Sequence, residues 1–183
     1  MLHTELNRHP LEDVITEENP VRGTNHVSIA RRAIVVAALA DGATLALLPA
    51  LLGEGVRFYR CGPAIAFAVS QSQRVEDIIE RLSAVPGLDL VDQTDAHVLI
   101  TLSGPDVRRL LAKAVPLDLH GQAFSIGQSA GTLCGQVAVQ LSRTALDAFE
   151  LLVPTSYAGF LLEEIRQMGR EFAFTIGFDQ ATA

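Results

Sequence analysis

The sequence predicts an α+β fold: antiparallel sheets with helices packed on one face, built from repeated strand–strand–helix units. Two observations carry this. Short apolar or alternating runs are followed by stretches with helical spacing, and strand–strand–helix recurs three times after an initial strand–helix. The glycine-rich segment leads into a strand pattern and contains no GxGxxG, which argues against a doubly wound nucleotide fold. At 183 residues, 49% apolar and 19% charged, the chain can fill one core, as a single domain or as two small lobes sharing it.

Residues 1–26 hold two prolines, five acidic side chains and few large apolar groups, so they are expected to form an arm. Leu6, Leu11, Val14 and Ile15 are its means of docking on a partner. Residues 27–183 form the domain, with lobes at about 27–86 and 87–183. The run Ala33-Ile34-Val35-Val36 fits a strand buried on both faces. Asp41-Gly42 marks a turn, and residues 43–52 form a buried helix stopped at Gly53 or Gly55, although Pro49 removes a donor from it. Residues 56–60 and 64–69 make a hairpin around Gly62-Pro63.

Val75, Ile78, Ile79 and Leu82 then define one apolar helical face. Residues 88–91 and 98–102 are strands separated by a Gln93-Thr94-Asp95 turn. Residues 105–114 are a helix with Pro105 in its first turn, Asp106 near its positive end and Ser103 as its cap. Residues 132–141 and 148–153 are strands joined through 142–147. The helix 156–168 starts at a Thr155-Ser156 cap and buries Tyr157, Phe160, Leu161, Ile165 and Met168. Residues 172–178 form an edge strand.

A net charge of −7, with basic residues at most in pairs, argues against a general nucleic-acid binder. The run 33–52 mimics a membrane span, but Asp41-Gly42 interrupts it, so no membrane association is expected and a cytoplasmic location is. Cys61 and Cys134 lie far apart, without metal-ligand spacing, and fit small buried hydrophobes.

Chemistry-bearing patterns are sparse. Gly-rich residues 121–135 lack the Gly-Lys-Ser/Thr of a phosphate loop and fit a loop before a hairpin. Asp118 and His120, two apart in an extended segment, are a possible base pair, but no nucleophile accompanies them. His97 beside Asp95 fits a satisfied turn residue, and Ser103 is not in a GxSxG elbow. No catalytic, cofactor-binding or metal-ligating residue is therefore assigned to this chain.

The stretch LSGPDVRRLLAKAVPLDLH, with Phe124 and Gly127 after it and DAFELLVPTSYAGFLLE at 147–163, resembles the gamma-subunit family of heterotetrameric sarcosine oxidase. That family belongs to the folate-binding-domain, aminomethyltransferase-like superfamily, and the resemblance is strongest over residues 91–169. Cys61-Gly62-Pro63 occupies the place of the family's Gly-Pro motif, but Ala64-Ile65-Ala66 stand where the family has acidic and tryptophan residues. The resemblance implies an accessory subunit without catalytic residues, in a flavoenzyme complex that demethylates sarcosine or a related N-methyl amine. The one-carbon unit would pass to tetrahydrofolate or leave as formaldehyde. It places FAD, FMN, NAD, tetrahydrofolate and zinc on partner subunits, and names alpha, beta and delta subunits as partners, alpha being the main contact. The competing reading is a stand-alone folate-dependent aminomethyltransferase-like protein, although the Lys-Gly-Cys-Tyr type motif of the repair branch is absent.

Overall fold

The computed structural model describes residues 8–15 and 24–179. It contains ten strands and four α-helices among the described residues. A six-stranded sheet uses β1 (Asn25–Ile29), β6 (His97–Ser103), β7 (Ser129–Cys134), β8 (Val137–Ala145), β9 (Ala148–Pro154) and β10 (Phe174–Phe178), in the order β10-β1-β6-β9-β8-β7. A four-stranded sheet uses β2 (Ile34–Leu39), β3 (Val56–Arg60), β4 (Ile65–Ser70) and β5 (Asp89–Asp92), in the order β3-β4-β2-β5. All pairings are antiparallel except β1 with β10.

Strand alternation separates three apolar layers. On β2, Ile34, Val36 and Ala38 face α1 (Gly42–Leu52) and α2 (Val75–Ser83), joining Leu45, Leu48, Leu52, Ile78 and Leu82. Val35 and Ala37 point the other way, with Tyr59, Phe67 and Val69, and meet Leu99 and Leu152 of the second sheet. Beyond that sheet, Ile100, Leu102, Phe149 and Leu151 pack on α3 (Val107–Leu111) and α4 (Thr155–Gly169) through Leu110, Leu111, Leu161 and Ile165. The order is thus helices, sheet, sheet, helices. This is the expected α+β arrangement with helices on one face of each sheet, and it explains why β2 is apolar on both faces.

Several boundaries differ from the expectation. Residues 88–91 do not pair with 98–102: β5 adds to β2, while β6 lies between β1 and β9. The short 3-10 turn Thr94–Ala96 carries the chain from one sheet to the other, anchored where Gln93 N donates to Val35 O and Thr94 Oγ1 accepts from Val35 N. The two sheets therefore draw on interleaved stretches. Asn25–Ile29 enters one and Asp89–Asp92 the other, so a division near residue 86 leaves a strand of each sheet on the wrong side. The single strand expected at 132–141 is a hairpin, β7 and β8, folded at Gly135 with φ 59°.

The expected arm also needs revision. Leu11 is buried in the core beneath α4, with Val14 and Ile15 packed beside it, and Arg166 Nη2 donates to Val14 O. Leu6 lies outside the described residues. Gly159 admits this segment, since a Cβ there would sit 3.8 Å from both Leu11 and Val14. The buried stripe of α4 is Ala158, Leu161, Leu162, Ile165 and Gly169, whereas Tyr157 and Phe160 are 56% and 51% exposed. Both stripes have helical spacing. Close approach to the neighbouring elements selects the one with small residues, because a Cβ on Gly169 would lie 3.2 Å from Phe174.

Neither expected helix cap forms. Ser103 stays in β6, opposite His26 and Ala148, and Thr155 Oγ1 donates to Asp95 O instead of serving its own helix. The start of α3 is tied down from a distance. Asn25 Oδ1 accepts from Asp106 N (3.0 Å), while its Nδ2 donates to Asp106 Oδ2 (3.1 Å) and Phe172 O (2.7 Å). Gly104, at φ 125°, lets these backbones meet, since a Cβ there would fall 2.5 Å from Asn25 Oδ1. Asn25 is 3% exposed, so Asn25→Ala orphans the partly buried Asp106 amide and the buried Phe172 carbonyl. The expected loss is about 2–3 kcal/mol of stability, read from urea denaturation, with the urea dependence unchanged.

Candidate functional site

The residues singled out by their chemistry are engaged structurally. Asp118 Oδ1 accepts from His120 N at 2.8 Å, an Asx turn, and the exposed His120 ring accepts from Gln122 N at 3.4 Å. The two side chains thus cap a turn. His97 Nδ1 faces Gln93 O at 3.4 Å and its ring lies against Phe67, while Asp95 offers its carbonyl to Thr155. Burial pushes the Cys61 thiol up to about 12 and the Cys134 thiol to about 11. Cys61 Sγ donates to Tyr59 O at 3.1 Å. No group of three or more His, Cys, Asp or Glu able to hold a metal occurs among the described residues.

Residues 121–128 are held by Arg143, which is 2% exposed. Its guanidinium donates to three carbonyls: Phe124 O (2.7 Å), Leu146 O (2.8 Å) and Ala145 O (3.2 Å). The ladder between β8 and β9 shifts register between Arg143 and Ala145. That irregularity turns the side chain under the loop. Gly127 N then donates to Arg143 O at 2.7 Å. The glycine-rich segment is consequently a fastened loop followed by β7.

Between the sheets lies a cluster with the ingredients of a reactive site. Glu150 of β9 is 5% exposed. It accepts a hydrogen bond from Tyr59 Oη of β3, and Arg57 Nε lies 3.0 Å from the same carboxylate oxygen. Arg57 Nε also donates to Tyr59 Oη at 3.2 Å, and its Nη2 to Gln71 Oε1 at 3.2 Å. Burial first, and the Glu150 charge second, raise the Tyr59 phenol far above its ordinary range. A phenol so held donates a hydrogen bond and does not supply a base. The cluster fixes one sheet on the other and leaves no nucleophile free. Nearby, Ser129 Oγ accepts from Arg60 N at 2.8 Å, joining the edges of the two sheets.

Sequence reasoning missed this cluster, yet traces of it were visible. Arg57 and Tyr59 are two apart in a strand and share a face, and Glu150 is a lone carboxylate in the apolar strand AFELLVP. Their pairing across 91 residues had no sequence signal.

The GCVT N-terminal domain family model matches residues 59–179, from β3 through β10. The chain is 29% identical over 131 residues to the sarcosine oxidase subunit gamma of Arthrobacter sp., covering 67% of this chain and 62% of that protein. It is 27% identical over 122 residues to the sarcosine oxidase subunit gamma of Corynebacterium sp. (strain P-1), covering 66% and 60%. These matches span about three fifths of the relatives' length. Among solved structures, heterotetrameric sarcosine oxidase from Corynebacterium sp. U-96 in complex with pyrrole 2-carboxylate aligns with TM-score 0.77 and 17% identity, over 92% of this chain and 97% of that one. Glycine cleavage system aminomethyltransferase T from Bartonella henselae aligns with TM-score 0.58 and 18% identity, over 85% and 48%. The resemblance to gamma subunits and the aminomethyltransferase-like fold expected from the sequence are both present.

Two outcomes follow from the buried groups. Glu150→Ala leaves Arg57 and Tyr59 without their acceptor and is expected to cost about 2–4 kcal/mol, with Tyr59→Phe nearer 1–2, measured by urea unfolding. Both cysteine thiols and the phenol have raised folded pKa values, so the unfolded chain ionises first as pH rises. Their contribution is intact below the unfolded thiol value of 9.0 and is lost progressively above it. Urea midpoints should fall from pH 8 to pH 10, and both thiols should resist a disulfide reagent at pH 8 until the chain is denatured.

Proposed function

The chain belongs to the GCVT N-terminal domain family, and we propose that it acts as a non-catalytic gamma-type subunit of a sarcosine-oxidase-type complex. The observation that carries this reading is the outer face of α1. All eleven residues, GATLALLPALL, are uncharged. Leu45, Leu48 and Leu52 face the four-stranded sheet, leaving Ala43, Ala46, Leu47, Pro49, Ala50 and Leu51 outside. Leu47 is 61% and Leu51 41% exposed. A buried helix is the expectation for this stretch, and within this chain it is covered on one side only. A helix apolar all round belongs in an interior, and here a second protein surface would complete that interior.

The names of the curated relatives and the fold match support a sarcosine-oxidase-type assembly, and within it the partners on this reading are the alpha, beta and delta subunits, with alpha as the main contact. On this reading FAD, FMN, NAD, tetrahydrofolate and zinc reside on those partners. The substrate is sarcosine or a related N-methyl amine, the compartment the cytoplasm. The chain's contribution is surface complementarity. Glu150, Tyr59, Arg143 and Asn25 are all spent on internal contacts, which suits a subunit whose side chains make no bonds in substrate. No described helix is long and apolar enough to cross a membrane.

Leu47→Glu together with Leu51→Glu places two charges on this face without touching the chain's own core. Co-expressed with the partner subunits, the variant should keep its fold by circular dichroism and fail to co-purify with them. Retention at the wild-type ratio would refute the α1 contact.

A further inference from the structure

A hollow of about 500 Å³ opens where residues 8–10, the link between β1 and β2, and residues 94–98 converge beside the first residue of α4. Its walls bring together Arg8, Arg31 and Arg32 from two distant stretches, with Asp95 as the acidic side chain among them. His9 and His97 also line it. With Arg8 already paired to Glu12 and Asp13, Arg31 and Arg32 outnumber Asp95 and give a positive hollow on a chain whose net charge is −7.

The arginines differ in how far they are already neutralised. Arg8 pairs with Glu12 at 3.5 Å and with Asp13. The ion pairs among the described residues include neither Arg31 nor Arg32. Arg31 is nevertheless held in place, its guanidinium lying 4.6 Å from the centroid of the Phe178 ring. The His9 ring lies nearly perpendicular to the same phenyl group, with centroids 4.8 Å apart. Residues 8–10 are also anchored, since His9 Nδ1 accepts from Leu11 N at 3.1 Å and Leu11 is buried beneath α4. Apolar atoms of Ala30, Ala33 and Leu99 complete the lining. Burial lowers both histidines from their ordinary value, so the positive charge near neutral pH comes from the arginines.

We propose that this hollow binds a small multivalent anion, a di- or tricarboxylate or a phosphoryl compound, through Arg31 and Arg32, with Arg8 in the same lining. Guanidinium forks match carboxylate and phosphate oxygens in pairs, and the volume lies in the range of small-ligand sites. The inference does not rest on the assembly reading, because every group it uses belongs to this chain.

The test is calorimetric titration of the full chain at pH 7 and low ionic strength with citrate and with pyrophosphate, using acetate as the monovalent control. At least one multivalent anion should bind with Kd below about 1 mM, and acetate should bind far more weakly. Arg31→Gln with Arg32→Gln should weaken that binding at least 10-fold, Arg32→Gln alone should weaken it measurably, and Arg109→Gln, outside the hollow, should leave it unchanged. Preference between citrate and pyrophosphate distinguishes a carboxylate ligand from a phosphoryl one. Absence of binding by both anions, or equal binding by the double variant with its fold intact, would overturn the proposal.

Discussion

The contact between the backs of the two sheets sets the rest of the architecture. Val35, Ala37, Phe67 and Val69 of one sheet meet Leu99 and Leu152 of the other, and small residues at Ala30 and Ala33 allow the approach. Each sheet is thereby covered on one face and must bury its other face under helices, which yields the four layers. The cost of the arrangement appears at Glu150, a carboxylate placed between two apolar surfaces. Its desolvation is offset by a phenol and a guanidinium from the opposing sheet. The polar bridge also fixes how the sheets register on each other, which greasy side chains alone specify poorly.

What the sequence revealed and what it hid divide along the range of the interactions involved. Local periodicity placed the hairpin of β3 and β4, the α2 face of Ile78 and Leu82, and the edge strand β10. Long-range pairing was invisible. Nothing in LVDQTDAHVLI says that its two halves join different sheets, because both remain extended either way. The phase of α4 was ambiguous for a related reason. Tyr157 and Phe160 look like core by hydrophobicity, but the sheet accepts Ala158 and Gly169, and only steric fit decides. Capping by Asn25 across 81 residues lay equally beyond local rules.

Function follows the same division. The chemistry-bearing residue types are present, but folding consumes them: Asp118 in an Asx turn, His97 against Phe67, two thiols kept protonated by burial, and Arg143 beneath a loop. What remains unsatisfied is surface. The charge-free face of α1 is apolar where a lone protein would be polar, and Arg31 and Arg32, beside the 94–98 stretch, enter no ion pair among the described residues. One feature calls for a protein neighbour and the other for an anion, and they sit on different elements of the fold.

Hydrogen–deuterium exchange, comparing the free chain with the same chain in its assembled complex, tests the central claim most directly. The account predicts that amides of residues 42–52 exchange more slowly in the complex, while those of β2 and β9, already buried, change little. A complex that forms with exchange across α1 unaltered would contradict it.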